Sequence, residues 1–225
     1  FQVSLPTPFA VVSAVVTADA LPAVEAAYEE AMIAEVAALC RHVPHQDLCI
    51  QWDICNEMIA WDGQKTEAVP HADQPREELL ERQRRLCAGI PADVEVGIHL
   101  CYGDFAGRHF VEPKDAAKMV EFANALARTA THKLAYIHMP VPVERTDDAF
   151  YRPFAALKLP QGTQLYLGVV HARDGVEGTR ARIAAAQRYV PDFGVATECG
   201  MARARSEAIV RSLLKIHAEV CGPAA

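Results

Sequence analysis

Apolar residues along this chain follow two alternating rhythms, short β-rich runs and longer stretches with helical spacing. Phe1-Gln-Val-Ser-Leu-Pro-Thr-Pro8 predicts a strand that closes in a Pro-punctuated loop. Leu21, Val24, Ala27, Tyr28, Met32, Val36 and Leu39 then fall on one face of a predicted helix, which His42-Val-Pro-His45 breaks. Leu48-Cys-Ile-Gln-Trp-Asp53 predicts a second strand, leading to the polar groups of Asp53, Asn56 and Glu57. A polar stretch through Gly63 and Pro70 precedes a helix near Arg76–Ala88, and Val96-Gly-Ile-His-Leu-Cys-Tyr-Gly-Asp104 follows as a third strand and its exit loop.

The second half repeats the rhythm. Glu112-Pro-Lys-Asp115 has helix-start chemistry, with proline early and acids in the first turn, and the helix runs through Met119, Phe122 and Leu126. Strands are predicted at Leu134–Met139, ended by Pro140, at Gln164–His171 and at Phe193–Thr197. Helices are predicted at Phe150–Leu157, Gly178–Val190 and Ser206–Val220, the last with Ser206 as its N-cap and Gly222-Pro223 after it.

Six strand-then-helix units imply a parallel sheet with right-handed crossovers. The strand ends carry Asp53, His99, Cys101, His138, His171 and Cys199. Function at the C-terminal ends of parallel strands is the pattern of the (βα)8 barrel. The expectation is therefore an α/β (βα)8 TIM-type barrel forming one domain over residues 1–225. Its first two βα units would lie in sequence before Phe1. An open doubly wound sheet is the alternative, but no glycine-rich dinucleotide loop follows the first strand.

Composition narrows the function classes. A formal net charge of −7 argues against a nucleic-acid partner. The basic run Arg82-Gln-Arg-Arg85 reads as the solvated end of a helix. No apolar run reaches the roughly 18–20 residues that a membrane helix needs, so no membrane partner is expected. The seven cysteines are an odd number without a small disulfide framework, which suits a reducing cytoplasm and metal or core roles. The chain opens on Phe1 rather than Met and reads as a piece of a longer polypeptide, with homo-oligomerisation left open.

Side chains two apart on a strand share a face, so His99 and Cys101 can reach one point. Ala196-Thr-Glu-Cys-Gly-Met-Ala-Arg203 offers Cys199 at the end of another strand. An imidazole and two thiolates make a partial zinc site that leaves a position for a reacting group. The competing reading is that Cys101 and Cys199 are buried core thiols.

These two stretches, Gly97–Asp104 and Thr197–Arg203, resemble the zinc motifs of the catalytic barrel of cobalamin-independent methionine synthase. Its superfamily also holds epoxyalkane:coenzyme M transferase and, without zinc, uroporphyrinogen decarboxylase. Ile50-Gln-Trp-Asp53 resembles the family's strand ending in an Asp that holds the substrate's amino group. The resemblance implies His99, Cys101 and Cys199 as zinc ligands and Asp53 as a substrate contact. His138 stands where the family places a zinc-ligating Glu, which makes it a candidate fourth ligand. His171 lies in the stretch that carries the family's acid and histidine near the reacting centre, and is a candidate general acid. Ile54-Cys55 replaces a Glu-Pro, and Glu57 comes slightly later. Leu5-Pro-Thr-Pro8 shows no aromatic to stack a folate pterin.

The implied activity is zinc-dependent methyl or alkyl transfer to a small-molecule thiol. Zinc would lower the thiol's pKa to give a nucleophile, with homocysteine the first acceptor to consider. Asp53 or Glu57 would hold a cationic part of the substrate, and Trp52 and Trp61 either line the pocket or are ordinary packing. Arg203 and Arg205 could meet a carboxylate or sulfonate, or be solvated. The loop Gly103-Asp-Phe-Ala-Gly107, with Arg108 and His109 after it, reads as a turn or as an anion site. Two alternatives stay open. One is a metal-free decarboxylase or lyase run by Asp53 and His171, in which His99, Cys101 and Cys199 do not converge. The other is a non-catalytic relative whose zinc sits in a closed shell of His99, Cys101, His138 and Cys199.

Overall fold

The computed structural model describes residues 1–104 and 109–222. Its strands are β1 (Gln2–Pro6), β2 (Cys49–Ile54), β3 (Glu95–Leu100), β4 (Leu134–Pro140), β5 (Gln164–Val170) and β6 (Gly194–Thr197). Every pairing is parallel, and the six strands lie side by side in chain order. The helices are α1 (Pro8–Val12), α2 (Leu21–His42), α3 (Asn56–Trp61), α4 (Arg76–Ala88), α5 (Ala117–Thr129), α6 (Asp148–Tyr151), α7 (Gly175–Gln187) and α8 (Glu207–Cys221). Among the described residues β1 and β6 are not paired with each other. The sheet is thus consistent with part of a (βα)8 barrel, and closure is not seen.

Three elements depart from expectation for local reasons. Thr7 and Pro8 begin the short helix α1 instead of a plain loop. The Thr7 hydroxyl accepts from Ala10 N at 3.2 Å and Pro8 takes the first turn, where its missing N–H costs nothing. Helix α5 starts at Ala117, beyond the acids expected in its first turn, because Glu112 is drawn off to His109 while Asp115 Oδ1 accepts from Ala117 N. The helix expected at Phe150–Leu157 begins earlier, at Asp148. Asp147 caps it, and it passes into a 3-10 turn over Arg152–Ala156, where Pro153 has no N–H for an α-helical bond. Of the expected Gly222-Pro223 terminus, Pro223 lies outside the described residues.

Period-two alternation gives the sheet two unlike faces. Ile50, Trp52, Ile54, Ile98, Leu100, Ile137, Met139, Leu167 and Val169 point to the helical side, each at most 1 % exposed. There they join Val36, Leu79, Met119, Phe122, Leu213 and Ile216 in one core. The other face carries Gln51, Asp53, His99, Tyr136, His138 and Tyr166. Asp53 lies opposite His99 in the β2–β3 register, and His99 opposite His138 in the β3–β4 register. Three polar side chains therefore stand in one row across adjacent strands. Gly97 clears the space below that row: a Cβ there would sit 2.1 Å from the Tyr136 ring.

Two arginines are buried in the helical layer. Arg82, read from sequence as solvated, is 6 % exposed: it donates to Glu25 at 2.5 and 3.0 Å and lies 4.6 Å over the Phe9 ring. Its neighbours Arg84 and Arg85 pair with Glu81 and Glu29 nearer the surface. Arg182, on α7, has no exposure at all. It donates to the carbonyls of Val169 and Val143 at 2.8 and 2.6 Å and forks onto both Asp174 oxygens at 2.6 and 2.7 Å.

Candidate metal centre

β3 delivers His99 from its penultimate position, and the chain stays in sheet geometry for one more residue, with Cys101 N donating to Ile54 O at 2.9 Å. β6 ends at Thr197, whose hydroxyl donates to the Cys199 carbonyl at 2.8 Å and turns the loop inward. One ligand atom from each of His99, Cys101 and Cys199 then lies within 4.8 Å of the other two. The two sulfurs are 3.9 Å apart, too far for a disulfide bond of about 2.05 Å. A part-buried ion pair ties the two loops together: Arg205 donates to Asp104 at 2.8 Å and to the Gly200 carbonyl at 2.7 Å. Asp104 follows Cys101 and Arg205 follows Cys199, so this tie spans both ends of the thiol pair.

These donors suit a metal and are poorly served without one. Both ring nitrogens of His99 are buried with no hydrogen-bond partner, and so is Nε2 of His138. A buried, unpaired polar atom costs about 1–3 kcal/mol, so such atoms call for an explanation. The contact with Cys101 and burial push the Cys199 thiol far above its usual pKa, with His99 opposing them. For Cys101 the bond to Cys199 acts downward, but Cys55 and burial outweigh it and the thiol is raised well above normal. Burial, with the neighbouring His99, holds His138 well below the usual histidine range, so its imidazole is neutral at pH 7. Soft thiols beside imidazole are a zinc-type donor set, and a cation reverses the upward pressure on the thiols.

His138 does not join the three-residue group. Its ring stacks on His99, with centroids 4.6 Å apart and planes 18° apart. The closed four-ligand shell of the non-catalytic alternative is therefore not formed here. The metal-free alternative, which required the three ligands to stay apart, is not favoured either.

His99, His138, Asp53 and Cys199 line a cavity of about 640 Å³ together with Tyr136, Tyr166 and Arg203. Asp53 Oδ1 accepts from Gln51 Nε2 at 2.7 Å, and Tyr136 donates to the same glutamine's Oε1 at 2.6 Å. The tyrosines were missed in the sequence, although both share strand parity with His138.

Other expected site residues fall elsewhere. Trp52 and Glu57 do not line the cavity. Trp52 alternates with Asp53 and so faces the helical core, with no exposure. Glu57 is carried into the helical layer because α3 begins at Asn56 and all six of its residues are buried. Gln83 donates to Glu57 at 3.4 Å, and burial raises its pKa to about 7 against the pull of the Thr7 hydroxyl. Trp61 stacks on Phe122 with ring centroids 4.4 Å apart.

His171 does not line the cavity with His99 either. It donates from Nε2 to the Val141 carbonyl at 2.8 Å, while Nδ1 lies 3.6 Å from Glu198. Burial lowers its pKa and Glu198 only partly restores it, so the ring is neutral and its proton is held by Val141. Glu198 also faces His109 Nε2 at 2.8 Å. Burial opposes a charge on His109, but Glu112 and Glu198 outweigh it and raise the pKa to about 10. This clamp was not anticipated. Arg108 and most of the loop before His109 lie outside the described residues.

The same arrangement of strands occurs in solved structures. A B12-independent methionine synthase from Shewanella sp. W3-18-1, in complex with selenomethionine, aligns over 98 % of this chain with a TM-score of 0.65 and 16 % identity. This chain has the same fold. A Listeria monocytogenes protein, described as a candidate vitamin-B12 independent methionine synthase, aligns over 98 % of the chain with a TM-score of 0.51 and 17 % identity. The chain spans 61 % and 64 % of the length of those two proteins. No family model matches it, and no curated protein does. Among the described residues no helix is long and apolar enough to cross a membrane.

Proposed function

We propose that the protein transfers a methyl or alkyl group to a small-molecule thiol at a zinc centre, with homocysteine as the first acceptor to test. The observation that carries this reading is the convergence of His99, Cys101 and Cys199 within 4.8 Å at the wall of a cavity. The shared fold with methionine synthases supports the choice of reaction.

His99, Cys101 and Cys199 would hold the ion, which when bound lowers the pKa of a thiol beside it and so supplies a nucleophile at neutral pH. The chain's own residues do the rest. Asp53, facing the cavity and steadied by Gln51, would hold a cationic group of the substrate. Tyr136 and Tyr166 line the same space, their hydroxyls donating to Gln51 and Gln164. His138, neutral and stacked on His99 with Nε2 unpartnered, would be the candidate fourth ligand. His171, its Nε2 proton held by Val141, lies outside the cavity and takes no step in this reading.

Metal content tests the reading directly. The purified protein should hold about one zinc per chain, and Cys101→Ala and Cys199→Ala should each lose it. A protein that neither retains zinc when prepared without chelators nor regains it on addition would overturn the transferase reading.

A further inference from the structure

Of the three candidate ligands, only Cys199 is left unplaced by strand pairing. His99 lies within β3, and Cys101 continues its line, with its N–H on the Ile54 carbonyl. β6 is four residues long, stands at the edge of the sheet among the described residues and shifts register against β5. It ends at Thr197, before the thiol is reached. Thr197 turns the loop and Arg205 braces its far end. Between them Glu198, next to the thiol, is held on two sides. On the β5 side a glycine makes room for its backbone: a Cβ at Gly168 would sit 2.7 Å from Glu198 Cα and 3.0 Å from the Thr197 carbonyl oxygen. On the other, Glu198 Oε1 meets His109 Nε2 at 2.8 Å, with the His109 side chain 3 % exposed and that of Glu198 12 %. His109 follows Cys101 in the chain and Glu198 precedes Cys199, so this contact joins the two thiol-bearing segments.

We infer that His109 is a positioning residue of the metal centre: by gripping Glu198 against the seat that Gly168 leaves, it keeps Cys199 within reach of His99 and Cys101. The inference rests on the zinc reading of those three residues and adds the device that completes the donor set. Neither His109 nor Glu198 lines the cavity, so their effect passes through Cys199. The physical cause is the cost of an unpaired buried charge. Without His109 the Glu198 carboxylate would turn toward water and draw its neighbour with it.

The test has two readouts on the whole chain: zinc affinity by competition with a chelator, and the thiolate-to-metal absorption of the cobalt(II)-loaded protein, which grows with the number of thiolates bound. His109→Leu should weaken zinc about 10–100-fold, as loss of an outer contact does at metal sites, and lower the cobalt band toward that of Cys199→Ala. His109→Gln, which keeps an N–H for Glu198, should restore part of both. Gly168→Ala leaves the ion pair's own residues intact and should also lower affinity and band, so the comparison does not depend on one variant folding. Wild-type affinity and band in both His109→Leu and Gly168→Ala overturn the inference alone. So does weaker zinc binding with an unchanged band, the mark of a loop that is less stable but holds the same ligands. Wild-type protein that takes up neither metal overturns the zinc reading and the inference with it.

Discussion

Two buried polar clusters sit near the C-terminal ends of the strands, and they are built on opposite terms. Around Arg182 the account is closed: its guanidinium meets Val169, Val143 and both oxygens of Asp174, joining the ends of β4 and β5 to α7. Around His99 it is open: two imidazole nitrogens lack partners, and two thiols meet only at van der Waals range. Folding alone accounts for the first cluster. The second is open in a way that a metal would close, and this contrast marks the candidate site more sharply than residue type does.

The contrast is broken most severely from the closed side. Arg182→Met should lower stability by about 3–5 kcal/mol, since it strands carbonyls and a carboxylate that were paired. Thermal unfolding should show this as a drop of roughly 6–20 °C, and a drop of under about 2 °C would mean the cluster holds little. In the metal-free protein, His99→Leu should change stability by no more than about 1 kcal/mol, because the ring it removes has no bonds to lose. Adding zinc sharpens the comparison. At about a thousand times its dissociation constant, zinc should stabilise the wild type by about 4 kcal/mol and leave Cys101→Ala unmoved. Equal stabilisation of both proteins would move the metal elsewhere.

Glu57 supplies a smaller and pH-dependent case. Its folded pKa of about 7 lies above the ordinary 4.5, because burial penalises the ionised form. The folded state therefore holds this proton more tightly than the unfolded chain. The associated stability is complete below about pH 4.5, is lost as pH rises to about 7, and stays lost above that. The loss amounts to roughly 3–4 kcal/mol. Glu57→Gln should flatten urea-denaturation stability across that window, and an unchanged slope would place the titration in another group.

Much of the fold was legible in the chain because parallel strands buried on one face and helices behind them leave strong periodic marks. The strands at Leu48–Asp53 and Leu134–Met139 were readable almost to the residue. Helix starts were less so: the acids at Glu112 and Asp115 look like a first turn, yet Glu112 serves His109, a partner that only the folded structure supplies. The thiol–imidazole set was legible from His99-x-Cys101 and Cys199-Gly200. The surrounding contacts were not. Glu57 was expected in the pocket because it lies close to Asp53 in sequence, but the immediate start of α3 turns it away. Trp52 could have been placed correctly by counting strand parity from Asp53. Arg82 defeated a composition argument, since nothing local announces that Glu25 waits 57 positions earlier.

The separation of the two sulfurs along the chain has a consequence for biosynthesis. Cys101 and Cys199 are 98 positions apart, with β4, β5 and β6 between them. At ordinary elongation rates the His99–Cys101 half would leave the ribosome about 5–20 s before its partner. Closing so long a loop also means that the pair forms only once the intervening strands have stacked in order. A nascent chain therefore offers a weak two-donor site first and the full set only at the end. On the zinc reading, capture of the ion would follow only once β6 had paired and brought Cys199 to His99 and Cys101.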